Sequence, residues 1–479
     1  MDTASRLPLS RPSRRDALIG LAASLPLPAL AQTAAPAPRR IAMRAEAVER
    51  RLGGEDKPAS RLFRLRPAGL PPEKPDTFSV FRAREGEACE IEIENTLGHP
   101  LAFHFRGMRS TLTPDGVPGL SGRAIAPGEK AVVPLDTRQP GTFLMAPVVA
   151  AQVCEQNARG LHAAVIVEER EPPVFDLDHV LAVGDWRLDG EGRLQEDFGT
   201  RMDIARVGRL GNRLVANRSH APERLEARPG ARLRIRMINI SNARPIPLKV
   251  SGCEAKVYSI DSTPCQPFDP LRRTVTLSPG TRIELAIDLP AEPDKEARIE
   301  AKLGDGLPML VIRTKGEPIP RRGDIAPLPD PGLPPAIRLQ NAARADIRIA
   351  GGIGTDPAEA TPEALAARFP DPARIFSVNG GTDGFAGKPV LKVKRGREVV
   401  FAVFNDSAWP QVLAVHGHAF RLLHPFDDGW EPYFLDTLYL APKTVARIAF
   451  IADNPGRWAL RSAVAEHFAG GVRTWFEVE

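Results

Sequence analysis

Gly86–Asn95 reads GEACEIEIEN, Gly230–Asn239 reads GARLRIRMIN and Gly396–Asn405 reads GREVVFAVFN. Each stretch opens on Gly, runs through residues of alternating character and closes on Asn. In the first, Cys89, Ile91 and Ile93 face one way and Glu90, Glu92 and Glu94 the other. In the second, Leu233, Ile235 and Met237 alternate with Arg232, Arg234 and Arg236. A side-chain period of two belongs to a strand with one face buried and one wet, so half-buried strands are expected. Each Asn is followed by a loop and a second apolar run: LAFHF, IPLKV and VLAVHGH. Further on, Pro127-Gly128, Pro279-Gly280 and Pro442-Lys443 each open another strand. The unit is domain-sized rather than a short solenoid repeat, and it reads as a small Greek-key β-sandwich. The expected fold is therefore all-β, with three tandem sandwich domains.

A chain of 479 residues is too long for one hydrophobic core. Its 48 Pro and 40 Gly favour short strands and turns. The expected domains are 40–170, 174–328 and 336–479, divided at Glu171-Pro172-Pro173 and at the Pro-rich stretch GEPIPRRGDIAPLPDPGLPP. Asp356–Arg374 is expected to carry one short helix. Residues 1–31 read as a twin-arginine signal peptide: Ser13-Arg14-Arg15-Asp16, the apolar run Ala17–Leu30, then the small-x-small site Ala29-Leu30-Ala31. That run is short and broken by Pro, so cleavage and a periplasmic destination without a transmembrane anchor are expected. Arg6, Arg11, Arg14 and Arg15 against Asp2 and Asp16 give the segment +2, leaving +3 of the formal +5 on the remainder. The basic residues alternate with acids and form no stripe, which argues against nucleic-acid binding. Cys89, Cys154, Cys253 and Cys265 would meet an oxidising compartment; whether they pair or stay as buried thiols is open.

Further motifs carry a resemblance. DGVPG at Asp115–Gly119, QPGTF at Gln139–Phe143, Gln156 before Gly160-Leu161, and INISNAR at Ile238–Arg244 lie in the first two domains. SVNG at Ser377–Gly380, HGHAF at His416–Phe420, LDT at Leu435–Thr437, ADNPGRW at Ala452–Trp458 and TWFEVE at the C-terminus lie in the third. With three sandwiches behind a twin-arginine signal, the chain resembles the multicopper oxidases, whose domains are cupredoxin-like. The resemblance implies a blue-copper centre in domain 3 and a three-copper cluster between domains 1 and 3. The chemistry of such centres needs imidazoles and one thiolate.

Laid over the family's ligand motifs, this chain departs from them. HxHG falls on His104-Phe105-Arg106-Gly107, so Arg106 replaces an imidazole. HPH falls on Ala146-Pro147-Val148, where Ala146 and Val148 replace two. HPxHLHGH falls on Gln411 through His418: Gln411 and Ala414 are substitutions, and His416 is kept. HCHxxxH falls on Arg461-Ser462-Ala463 and ends on His467; Ser462 stands for the thiolate, Arg461 and Ala463 for imidazoles, and Val472 for the axial residue. The residual ligand-position histidines are His104, His416 and His467. Serine does not replace a thiolate as a soft ligand. No cofactor is therefore expected, with copper, the family's cofactor, as the alternative.

The replaced positions suggest an altered cavity. Ala146, Val148, Ala414 and Ala463 would make it more apolar, while Arg106 and Arg461 would bring two permanent cations, which repel metal ions. Asp115, nine residues past Arg106, stands where the family has an acid beside the cluster, so an Arg106–Asp115 pair is expected. Gln411, Ser462 and His467 are expected to converge as a hydrogen-bonded plug. A serine hydrolase built on Ser462 and His467 lacks a nucleophile elbow and an orienting acid. A lone ion at His104, His416 or His418 lacks a third ligand. His162, Trp409, Trp430 and Trp458 read as structural. The expected role is a non-catalytic periplasmic scaffold that binds a protein partner, similar to the SufI/FtsP type in signal, domain count and ligand loss. The alternatives are an oxidoreductase or metal-binding protein using residual or altered ligands, and a subunit or chaperone of an intact copper protein.

Overall fold

The three repeated stretches become the strands Cys89–Asn95, Arg232–Asn239 and Arg397–Asn405. The computed structural model describes residues 37–68, 78–110, 116–320, 322–330, 332–334, 336–427 and 429–479; the segment 1–31, expected to be a signal peptide, lies outside them. Each repeat strand sits centrally in its sheet, between one parallel and one antiparallel neighbour. The parallel neighbours are Arg39–Arg51, Leu177–Trp186 and Ala343–Gly351. The antiparallel ones are Lys130–Leu135, Arg282–Asp288 and Val445–Ala452, which follow the three Pro-Gly or Pro-Lys turns. Gly86, Gly230 and Gly396 all take left-handed φ, between 78° and 83°, which explains the Gly that opens every copy.

The closing Asn has an equally local cause. Asn95, Asn239 and Asn405 are fully buried. Asn239 Oδ1 accepts from the amide of Ser241 (2.8 Å), while its Nδ2 donates to the carbonyls of Arg244 (2.8 Å) and Leu277 (2.7 Å). Asn95 and Asn405 make the same bonds to their own loops. Only a side chain with both an acceptor and a two-proton donor can close the strand end and pin the next loop at once.

The sheets come as sequential pairs. Arg39–Arg51, Ala59–Pro67, Cys89–Asn95 and Lys130–Leu135 form one, facing Ser79–Arg84, Phe103–Arg106, Gly141–Pro147 and Ala163–Glu168. A seven-stranded and a five-stranded sheet follow, and then two five-stranded sheets built from Ala343 onward. A separate apolar core fills each pair. This is the cupredoxin-like, all-β architecture, and Pro38–Glu479 pack as one unit. Asp356–Arg374 carries the helix Pro362–Arg368, capped by Thr361 Oγ1 accepting from the amide of Ala364 (3.2 Å), with short 3-10 turns on either side. All four cysteines are free thiols. Among the described residues, no helix is long and apolar enough to cross a membrane.

One expectation about the repeats is corrected. Cys89–Asn95 does alternate between buried and half-buried positions, but every residue of Arg232–Asn239 is buried, its arginines included. The arginine face is pressed against domain 1. Arg234 binds Glu169 (2.7 Å) and Glu284 (2.6 Å), and Arg236 binds Asp178 (2.7 Å) and the Thr142 hydroxyl (2.8 Å). Guanidinium forks survive burial because paired carboxylates accept hydrogen bonds from their N–H groups and balance their charge. A period of two marks a strand; it does not say whether its polar face meets water or another domain.

Candidate functional site

The family's ligand motifs come together where domains 1 and 3 meet. His104 lies on Phe103–Arg106, and His416 just beyond Gln411–Val415. Arg461 and Ser462 end the strand Gly456–Ser462, and His467 lies on the helix Ala465–Ala469. Antiparallel pairing sets Ala414 opposite Arg461 and Leu413 opposite Ser462. The His104 and His416 rings stack face to face, centroids 3.6 Å apart and 6° from parallel. Arg461 Nε donates to His416 Nε2 at 3.1 Å, its Nη1 donates to the Ser462 carbonyl at 3.0 Å, and its guanidinium lies over the Phe468 ring. Because arginine can only donate, His416 Nε2 is the acceptor, and its lone pair is already used.

Gln411, Ser462 and His467 are each buried, and each is held by different neighbours. Ser462 Oγ donates to the Val412 carbonyl (3.3 Å) and accepts from the amide of Val464 (3.1 Å). Gln411 Nε2 donates to Ser407 Oγ (3.2 Å). His467 Nε2 donates to the Arg206 carbonyl (2.6 Å), which fixes its proton on Nε2 and leaves Nδ1 as the lone-pair nitrogen. Neither His467 Nδ1 nor Gln411 Oε1 has a hydrogen-bond partner among the described residues. Burial holds the His467 imidazole down at about 4. The Ser462 hydroxyl is engaged with backbone, not with His467, so the pair is not arranged as a nucleophile and its base.

Arg106 is expected to pair with Asp115. Asp115 lies outside the described residues. The charges facing Arg106 are Arg282 and, beyond it, Asp436 and Asp261; burial first and then Arg282 push its guanidinium down to about 10. A side chain at Gly280 would overlap that guanidinium, so Gly280 is needed for more than its turn. Arg282 in turn ties domain 2 to domain 3 through Asp436, whose neighbour Asp261 accepts the amides of Asp436 (3.1 Å) and Thr437 (3.0 Å). Burial and Asp436 push the Asp261 carboxyl up. His162 is fully buried and held at about 3 by burial, then by Arg106 and Arg218.

The small replacements fall into three apolar clusters. Ala146 packs with Leu144, Ile166 and Ile238, and Val148 with Ala459, Ala465 and Phe468. Ala414 and Ala463 pack with Val412 and Val464. His418 is enclosed by Phe450, Trp458 and Phe476. Trp458 and Trp409 pin loops by donating to the carbonyls of Asn454 and Ile353, and Trp430 packs beside Leu423 and Ile337. Sequence reasoning missed the junction at Glu466. There Asn242 Nδ2 donates to Glu466 Oε1 (2.7 Å) and to the Cys154 carbonyl (3.1 Å), linking all three domains. Burial raises the Glu466 carboxyl and, together with Glu466, the Cys154 thiol. The only signal was a Glu beside a ligand-position His, and polar residues do not announce their own burial.

Comparison with known proteins bears on this arrangement. Two family models described as multicopper oxidase match residues 78–172 and 355–479. The multicopper oxidase MmcO of Mycobacterium tuberculosis is 23% identical over 436 residues, covering 82% of this chain and 80% of its own length. Copper resistance protein A of Escherichia coli is 32% identical over 109 residues, 22% of this chain and 17% of its own. The crystal structure of a multi-copper oxidase from Pseudomonas thermotolerans superposes with a TM-score of 0.77 at 26% identity, covering 93% of this chain and all of that one. These matches correct the expectation of no cofactor, because copper is the metal of the family and of its relatives. The side chains at the ligand positions do not fit a cluster built from imidazoles. Ring faces rather than ring nitrogens of His104 and His416 meet, Arg461 occupies His416 Nε2, and among the described residues no three His, Cys, Asp or Glu group as metal ligands would. Fold, motifs and matches together place the chain in the multicopper oxidase family.

Proposed function

We propose that this chain is an exported, periplasmic member of the family that works as a scaffold for a protein partner in the cell envelope and does not reduce dioxygen at a copper cluster. The observation that carries the reading is the Arg461–His416 hydrogen bond. A guanidinium, which can only donate, sits on the nitrogen that would otherwise bind metal. The His104–His416 stack supports it, since two rings in face-to-face contact do not direct their lone pairs at one ion. Export rests on the twin-arginine pattern in residues 13–16.

The reading concerns the reaction, and copper is part of its test. Dioxygen uptake is measured with the copper-loaded, desalted chain and phenolic or cuprous reductants. Arg461→His is run beside it, to free the His416 nitrogen. Uptake at the background rate of free copper is expected for the natural chain. Copper-dependent turnover well above that background would overturn the proposal and make the chain an oxidase with altered ligands.

A further inference from the structure

Domain 1 is open along one edge of its sandwich. Lys130–Leu135 ends one of its sheets and Phe103–Arg106 ends the other. Residues of these two edge strands line a cavity of about 460 Å³, a size suited to one small-molecule ligand. Phe103, Phe105, Met108, Ile125 and Val133 give it an apolar wall, and Trp458 joins them from domain 3. The ionised groups among its described lining residues are Arg123 and Lys130, and no carboxylate is among those residues. Glu129, which pairs with Arg123, is not in the lining. Glu94, opposite Lys130 in the ladder, is paired with Arg44. His104 also lines this space, with its ring stacked on His416.

We propose that this cavity binds an amphipathic anion of the fatty-acid class. Its hydrocarbon chain would lie along Phe103, Phe105 and Met108, and its carboxylate would face Lys130 and Arg123. An apolar wall with cations and, among its described residues, no acid matches that ligand in both parts: the chain leaves water, and the head group meets ammonium and guanidinium donors. A neutral or cationic amphiphile satisfies only the first part. The site is separate from the proposed scaffold role and does not depend on it.

The test is calorimetric titration of the full chain with dodecanoate, 1-dodecanol and dodecyltrimethylammonium below their aggregation limits, plus decanoate to read chain length. Dodecanoate is expected to bind one per chain, about tenfold tighter than the cationic analogue. Decanoate should bind more weakly by about fourfold for each methylene removed. The exposed pair of changes Lys130→Gln and Arg123→Gln should abolish the preference for the anion while leaving dodecanol binding in place. Val133→Trp should remove binding of both, and the His104 imidazole resonances should shift on titration of the natural chain. Equal affinity for the anionic and cationic head groups, an unchanged preference in the Lys130→Gln, Arg123→Gln variant, or no dodecanoate binding would overturn the proposal.

Discussion

At the scale of single residues, the histidine at position 467 shows how a ligand position becomes a structural one. Its Nε2 proton is committed to the Arg206 carbonyl, and Phe376 packs against its ring. Protonating it would bury a second N–H and a charge with no counter-ion, so the folded chain keeps it neutral down to about 4, against 6.5 for an exposed imidazole. The unfolded chain therefore takes up the proton first as pH falls. The stability held above the unfolded value is lost as pH drops through the window from 6.5 toward 4. His467→Gln keeps a donor for Arg206 but does not titrate. The stability difference between the natural chain and that variant, from urea midpoints, should shrink by about 2–3 kcal/mol between pH 7 and pH 4. A difference that stays constant with pH would contradict the neutral assignment. Comparing the two chains also cancels the opposite contribution of Asp261, whose raised carboxyl favours the folded state at the acid end.

At the scale of elements, the repeat is a Gly, a strand and an Asn corner, used once per sandwich. Asn239→Ala would strip one acceptor and two donated bonds from a fully buried corner. Losing them should cost about 3 kcal/mol in urea unfolding, with the far-ultraviolet spectrum of a β protein retained. A loss under 1 kcal/mol would mean that the loop closes without its Asn. The corner was legible in the sequence as a recurring letter at the end of a periodic run. Its bonds were not, because one carbonyl partner, that of Leu277, ends a strand that only the folded domain brings near. Lys443 makes the same point: it takes a left-handed φ of 59° where Gly128 and Gly280 take 78° and 81° in the other copies, so the turn is set by its place in the sandwich and not by a Gly.

At the scale of the whole molecule, buried ion networks join the three sandwiches. Arg234 binds domain 2 to domain 1 through Glu169, Arg236 does so through the Thr142 hydroxyl, and Arg282 binds domain 2 to domain 3 through Asp436. Arg234→Met would leave Glu169 and Glu284 buried with one cation fewer, and should cost about 3–5 kcal/mol. Tryptophan fluorescence and circular dichroism should then unfold at separate urea concentrations, as domain 1 and domain 2 lose their coupling. Coincident, unshifted transitions would show that apolar contact alone joins them.

What the sequence by itself determined is the part of the molecule made by local rules. Three periodic strands, their Gly and Asn ends and the turns after them define three sandwiches, since period and φ are properties of neighbouring residues. The substituted ligand positions were readable for the same reason, being single letters within recognisable motifs. Tertiary structure decided everything that depends on which faces meet. It pressed the arginines of Arg232–Asn239 against domain 1, turned Arg106 toward Arg282 and Asp436, and dispersed the small replacements into separate apolar clusters. It also set Arg461 on the His416 nitrogen. Burial and electrostatic partnership are relations between residues far apart in the chain, and they exist only once the domains have packed.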